Sequence, residues 1–316
     1  MAVIVLALRR LVRKIYSNLF EFAFAGFLFS WDAMLVLGNL LTPKLAEGKV
    51  IASGKPGAGG AWPEYIPPTE DASRCSCPAL NAMANHGILP RDGRNIPFTE
   101  LNRTARETYN FAPTFCVFVP RYIARILNRT YSTDTCDLSD IDVHNGIEHD
   151  GSLLREDTYH KFHQGLPSAE LVTKFLASAT GPAPKPPKLK VQYPDGPPAP
   201  PFSPLTEDID LDTTITQADL SLALSEARRR SRQLNPQYSL DHGHKNFGSS
   251  NASTMLTIFG GRVRDLATIL IEERLPDGWE PRVRDRFGLT MAKFNMTVMP
   301  VEMGVRDEVE RPLNLW

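Results

Sequence analysis

The chain has 316 residues, with 35 basic against 36 acidic side chains and a formal net charge of −1. That length supports one large domain or two small ones around a sizeable core, and the charge balance excludes an electrostatic claim on nucleic acid. Four cysteines exclude a disulfide-stapled scaffold, and 26 prolines predict long irregular connections.

Residues 1–41 stand apart in composition. A short apolar start runs into "RRLVRK" and then "IYSNLFEFAFAGFLFSWDAMLVLGNLL". The last segment is long enough to span a bilayer, but Glu21 and Asp32 interrupt it. No small-residue cleavage site follows, which argues against a removable signal peptide. On a helix, Glu21, Asp32 and Asn39 fall on one side, near Ser17 and Asn18. Two readings follow: a membrane-associated helix with a narrow polar stripe, or a helix packed on the protein's own core. The apolar remainder favours the membrane. Arg9, Arg10, Arg13 and Lys14 then favour the cytosolic side, leaving the rest of the chain lumenal.

Residues 42–72 are rich in Gly and Pro and predict extended chain. Residues 98–129 carry helical patterning with breaks at Pro113 and Pro120. Residues 167–179 predict another helix. The segment 181–205 is too proline-rich for helix or central strand and predicts a surface excursion of the same domain. Residues 216–234 begin with a capping pattern at Thr216 and Asp219, and 246–259 and 262–274 predict two more helices. Strand-like alternation is scarce, so the chain reads as mostly α.

Two stretches carry chemistry. In "SRCSCPALNAMANHG", Pro78 suits a first helical turn and places Cys77 at its N-terminal edge. Free N–H groups and the helix dipole there hold a thiolate, which is what a haem iron requires of a cysteine. The bland alternative is a small buried thiol. Cys75, Cys77 and His86 also admit zinc, but no fourth ligand lies near. The second stretch, "HNGIEHDGSL", crowds Glu148, His149, Asp150 and Ser152 into five positions. Hard oxygen ligands suit a Mg²⁺-type cation; an imidazole beside a carboxylate suits proton handling. A solvated acidic turn is the plain alternative.

Taken together, "CSCPALNAMANHGILPRDGRN" followed by "HNGIEHDGSL" resembles the fungal haem-thiolate peroxidases, the family of chloroperoxidase and the unspecific peroxygenases. Their proximal Pro-Cys-Pro motif reads here Ser76-Cys77-Pro78, without the leading proline. The later "LNPQYSL" and "TIFGG" fit the family, so the resemblance covers about residues 61–275. It implies a chloroperoxidase-like, mostly α single domain at 42–316 around one haem b, preceded by the apolar helix at 1–41. Cys77 would ligate the iron, and Glu148 and Ser152 would hold the Mg²⁺-type cation. In the family a glutamate on the distal helix relays the peroxide proton. Here its place falls on Asn251, and a relative's arginine seven residues earlier falls on His244. An amide is no base at neutral pH, so His149, oriented by Asp150, is the implied proton shuttle.

The implied activity is oxidation of a small organic, secondary metabolite with hydrogen peroxide, by a membrane-associated enzyme of the secretory pathway or endoplasmic reticulum lumen. The loss of the glutamate motivates a rival reading, a non-redox step such as cyclisation or dehydration. Glycosylation tripeptides begin at Asn102, Asn128, Asn251 and Asn295. In a lumenal domain Cys116 and Cys136 are the pair free to form a disulfide.

Overall fold

The computed structural model describes residues 2–182 and 209–306, with side chains from Phe22 onward. The 183–205 part of the proline-rich excursion lies outside the described residues. Nine α-helices occur among them: α1 Ala2–Leu41, α2 Pro78–Asn85, α3 Phe98–Tyr109, α4 Pro113–Ile126, α5 Ala169–Ala177, α6 Gln217–Leu234, α7 His242–Thr257, α8 Val263–Ile271 and α9 Met291–Gly304. The described sheet is one antiparallel pair, β1 Ile96–Pro97 with β2 Thr135–Cys136. The mostly α expectation holds.

Local chemistry sets the helix starts. Thr216 and Asp219 form the predicted capping box of α6. Asp241 caps α7 through the N–H of His244 at 2.8 Å, so that helix starts four residues before the expected 246. Pro113 separates α3 from α4, as the pattern suggests, by occupying the first turn of α4. Pro120 does not break α4: helix continues to Ile126 with the ring inside it, where packing against α3 outweighs one lost backbone hydrogen bond. Helix α9, also with an internal proline at Pro300, has almost no helical periodicity and escaped the sequence reading.

Packing proceeds mainly by α3 on α4, α5 on α8, and α6, α7 and α9 on one another. The buried cluster runs from Met83 and Phe98 through Ile123 and Leu138 to Leu224, Leu266 and Val298. At the Asp-Gly turn Gly93 has φ +68°, and a Cβ there would lie 2.1 Å from the Ser73 carbonyl, so only glycine fits.

Helix α1 resolves its two readings in an unexpected way. The side that faces the domain carries Asp32 and Asn39 of the polar stripe together with Phe24 and Leu28, and leaves most of the large apolar side chains outside. Asp32 is buried and accepts from Thr114 Oγ1 at 2.5 Å and from the N–H groups of Met291 at 3.0 Å and Ala292 at 2.9 Å. The carboxylate thus closes the free N-terminal end of α9. Asn39 exchanges hydrogen bonds with the backbone at Phe287 (2.8 Å) and Gly288 (3.0 Å). Phe24 carries the Arg121 guanidinium 4.6 Å over its ring. Contacts at 24 with 121 and at 32 with 114 set α1 antiparallel to α4.

Candidate active site

The sequence places two cysteines side by side, and the fold separates their roles. The loop Cys75–Cys77 is pinned from both sides. Asn81 accepts from the Cys75 N–H at 3.0 Å and donates to the Cys75 carbonyl at 2.7 Å. The Ser76 N–H donates to Asp142 at 2.8 Å. Cys75 is fully buried beneath the loop, with its sulfur toward Asn81 and the Cys77 carbonyl. Cys77 is the N-cap of α2, followed by Pro78 in the first turn, and it lines a cavity of about 410 Å³. Burial pushes the Cys77 thiol up, while the nearby backbone N–H groups of Leu80 and Ala79, in the first turn of α2, act against that rise. A cation at sulfur removes the proton and meets a thiolate already supplied with donors.

The rest of the wall is apolar and aromatic. Phe111 and Phe115 stack at 4.4 Å, Tyr122 and Phe247 meet at 5.6 Å, and all four face the cavity. Tyr109 donates from its hydroxyl to the Ala79 carbonyl at 2.7 Å, fixing α2 against the cavity. Such a volume, mostly apolar and with the Cys77 thiol at a helix start on its wall, suits a flat apolar macrocycle held by a thiolate.

Glu148, His149 and Ser152 also line this cavity. His149 is almost fully buried, and burial lowers its pKa from 6.5 to about 4, so the ring is neutral. Its Nδ1 lies 2.9 Å from the Asp150 backbone carbonyl. A carbonyl only accepts, so Nδ1 carries the proton and Nε2 offers a lone pair. The ring fits because residue 248 is glycine: a Cβ there would sit 3.1 Å from His149 Cε1.

Three site expectations need correction. Asp150 orients His149 by its backbone, not its carboxylate; the carboxylate is turned to the Ser239 N–H at 2.8 Å. Glu148 accepts from His144 Nδ1 at 2.8 Å, and burial raises its pKa, so an imidazole occupies the oxygen meant for a cation. Among the described residues no group of three or more His, Cys, Asp or Glu is set to hold a metal ion. Third, Asn251 and His244 share a face of α7 but not an environment. Asn251 lines the cavity at an exposed position. His244, two turns earlier, is buried with Nδ1 2.8 Å from Asp241 and its ring 6.4 Å from that of His149.

Cys116 and Cys136 are free thiols, Cys116 on the cavity wall and Cys136 in β2. His86 spends both ring nitrogens on backbone, with Pro63 at 2.6 Å and Leu275 at 3.0 Å, which removes it from any zinc set. The sequence reading missed a buried charged layer. Arg155 and Glu273 pair at 2.7 Å, Glu273 also accepts from Asn81 at 2.9 Å, and burial pushes the Glu273 carboxyl up to about 7. Arg228 grips Glu302 of α9 at 2.9 and 2.6 Å. These residues are far apart in sequence, and no local spacing marks them.

The family model described as "Peroxidase, family 2" matches residues 63–284. A chloroperoxidase of Leptoxyphium fumago is 31% identical over 116 residues, 33% of this chain and 30% of that protein. An aromatic peroxygenase of Coprinellus radians is 30% identical over 145 residues, 35% of this chain and 55% of that protein. The alignments thus span about a third and about half of the length of these relatives.

Proposed function

The chain belongs to the fungal haem-thiolate peroxidases, and from that premise we propose that it oxidises a small organic molecule with hydrogen peroxide, by oxygen insertion or one-electron coupling. The observation that carries the proposal is the pairing in one largely apolar cavity of Cys77, at the N-terminal edge of α2, with a neutral His149. Cys77 would hold haem b by its iron, and the thiolate-ligated haem supplies the O–O cleaving chemistry.

The protein's own part is to bind, exclude water and move one proton. Apolar walls strip water from the reacting oxygens and strengthen polar interactions within. Peroxide must give up a proton at one oxygen and regain it at the other. Nε2 of His149 is the acceptor, because Nδ1 is committed to the Asp150 carbonyl. Its low basicity makes the resulting imidazolium a ready donor for the return step. Asn251 contributes an amide that orients oxygen by hydrogen bonds without accepting a proton.

A Mg²⁺-type cation at Glu148 and Ser152 belongs to this reading by resemblance; it has to displace His144 from Glu148. Association of α1 with a membrane belongs to it through the 20-residue apolar stretch Phe22–Leu41, and with it a place in the secretory pathway. A secondary metabolite is the proposed substrate. The non-redox alternative keeps one specific support, the amide at residue 251.

The deciding experiment is haem reconstitution of the full chain and of Cys77→Ser and Cys75→Ser, followed by spectra of the reduced carbonyl complex. The wild type and Cys75→Ser are expected to give the red-shifted thiolate band, and Cys77→Ser to lose it. Retention of the band by Cys77→Ser would sink the assignment.

A further inference from the structure

The apolar surface of α1 has no partner among the described residues, and it adjoins the cavity. The buried contacts of α1, at Phe24, Leu28, Asp32 and Asn39, lie on one side of the helix. Phe22, Phe29, Met34, Leu37 and Leu40 lie on the other, each more than half exposed; Phe22 reaches 81% and Leu40 77%. Met296, Met299 and Met303 repeat the pattern on α9 at i, i+3 and i+7, with Met303 81% exposed. Exposed apolar surface of this extent marks an interaction site.

The cavity reaches this surface. On α4, Thr114 and Arg121 contact α1. Phe118 lies between them on the same stripe, four residues after one and three before the other. It is 46% exposed and lines the cavity. On α9, Asn295 lines the cavity and immediately precedes Met296. The helices α1 and α9 fall outside the family match at 63–284, and Asp32 joins them directly.

We infer that α1 and α9 form a face that rests in the surface of an anionic lipid bilayer, and that the cavity takes an apolar, bilayer-dissolved substrate through its Phe118–Asn295 edge. The inference rests on the peroxidase reading for what happens inside the cavity. A bilayer is the occupant that matches both halves of α1. Arg9, Arg10, Arg13 and Lys14 suit anionic headgroups, and the large apolar side chains suit the acyl boundary. The docked stretch is not a free span, because Asp32 at its middle is committed to α9 and α4.

The test uses the full haem-loaded chain and Met296→Glu/Met299→Glu/Met303→Glu, none of which lines the cavity. Flotation with phosphatidylcholine–phosphatidylserine vesicles reads the surface. Tryptophan quenching by brominated acyl chains reads its depth. Spectral titration with nonylphenol dissolved in vesicles, against phenol in water, reads the route. The wild type is expected to float and to bind both ligands. The triple variant is expected to bind phenol as the wild type does and to lose vesicle binding and nonylphenol uptake by at least about tenfold. A wild type that stays in the aqueous layer, including as a soluble dimer with this face covered, overturns the inference. So does a triple variant that takes up nonylphenol as readily as the wild type. Flotation without haem uptake overturns the peroxidase reading, and the substrate route with it, while leaving the lipid-facing surface intact.

Discussion

At the scale of single residues, two neighbouring cysteines differ in what their backbone permits. Cys77 caps a helix and faces a cavity; Cys75, two residues earlier, has its sulfur turned into the loop that Asn81 holds. The same contrast governs His149. Burial holds its pKa near 4 against 6.5 in the unfolded chain. The unfolded state therefore takes up the proton first, and stability falls as pH drops from about 6.5 toward 4, by up to roughly 3 kcal/mol. His149→Gln should flatten that dependence in denaturant titrations across this range. The neutral base also persists to low pH, so the acidic limb of peroxide turnover should lie near pH 4 in the wild type and vanish in the variant. A limb near the ordinary imidazole value would place the working base elsewhere. Asn251→Glu, at an exposed position on the cavity wall, should raise the rate of peroxide consumption, within the about 10²- to 10⁴-fold range of a placed acid–base group. An unchanged rate in a folded, haem-loaded variant would show that residue 251 does not reach the reacting oxygens, and stopped-flow absorbance measures it.

At the scale of elements, helix ends do most of the positioning. The start of α2 presents sulfur with its donors. The start of α9 is closed by Thr290 from within and by Asp32 from a helix more than 250 residues earlier in the chain. Asp32→Ala leaves the buried Thr114 hydroxyl and two partly buried backbone N–H groups without their acceptor. Each orphaned group costs about 1–3 kcal/mol. The expected result is a drop of several degrees in Tm, at roughly 2–4 °C per kcal/mol for a domain of this size, together with proteolytic exposure of α1. An unshifted transition in calorimetry would mean that α1 does not dock as described.

At the scale of the whole molecule, the matched region carries most of the cavity wall, α9 closes it with Met291, Phe294 and Asn295, and α1 and α9 outside the match carry the apolar face. The glycosylation tripeptides now separate. Asn128 is exposed just past the end of α4, whereas Asn102 donates its amide to the Tyr131 hydroxyl at 2.7 Å, and Asn251 and Asn295 border the cavity. If the domain is lumenal, Asn128 is the position expected to carry a glycan. Glycosidase treatment should then shift the mass of the wild type and leave Asn128→Gln unchanged; a shift that persists in Asn128→Gln would put the glycan on another of the four tripeptides.

The sequence by itself determined what depends on neighbours in the chain. Pro78 puts Cys77 at a helix start, Thr216 and Asp219 write a capping box, and the ordered pair of short motifs names the family. Each is readable because backbone hydrogen bonding and proline geometry act over a turn or less. Tertiary structure alone decided the rest. A helix with almost no periodicity, α9, is set by packing against α6 and α7 and by a distant carboxylate. Asp32 and Asn39 of α1 proved to lie on a docking surface, because the free N–H groups at the start of another helix take an acceptor. His149 is neutral, and its tautomer is set by a carbonyl rather than the adjacent carboxylate, because burial penalises charge and folding chooses which acceptor the ring meets. Spacing gives residue types and their order; desolvation and contact between distant segments give them their protonation states and partners.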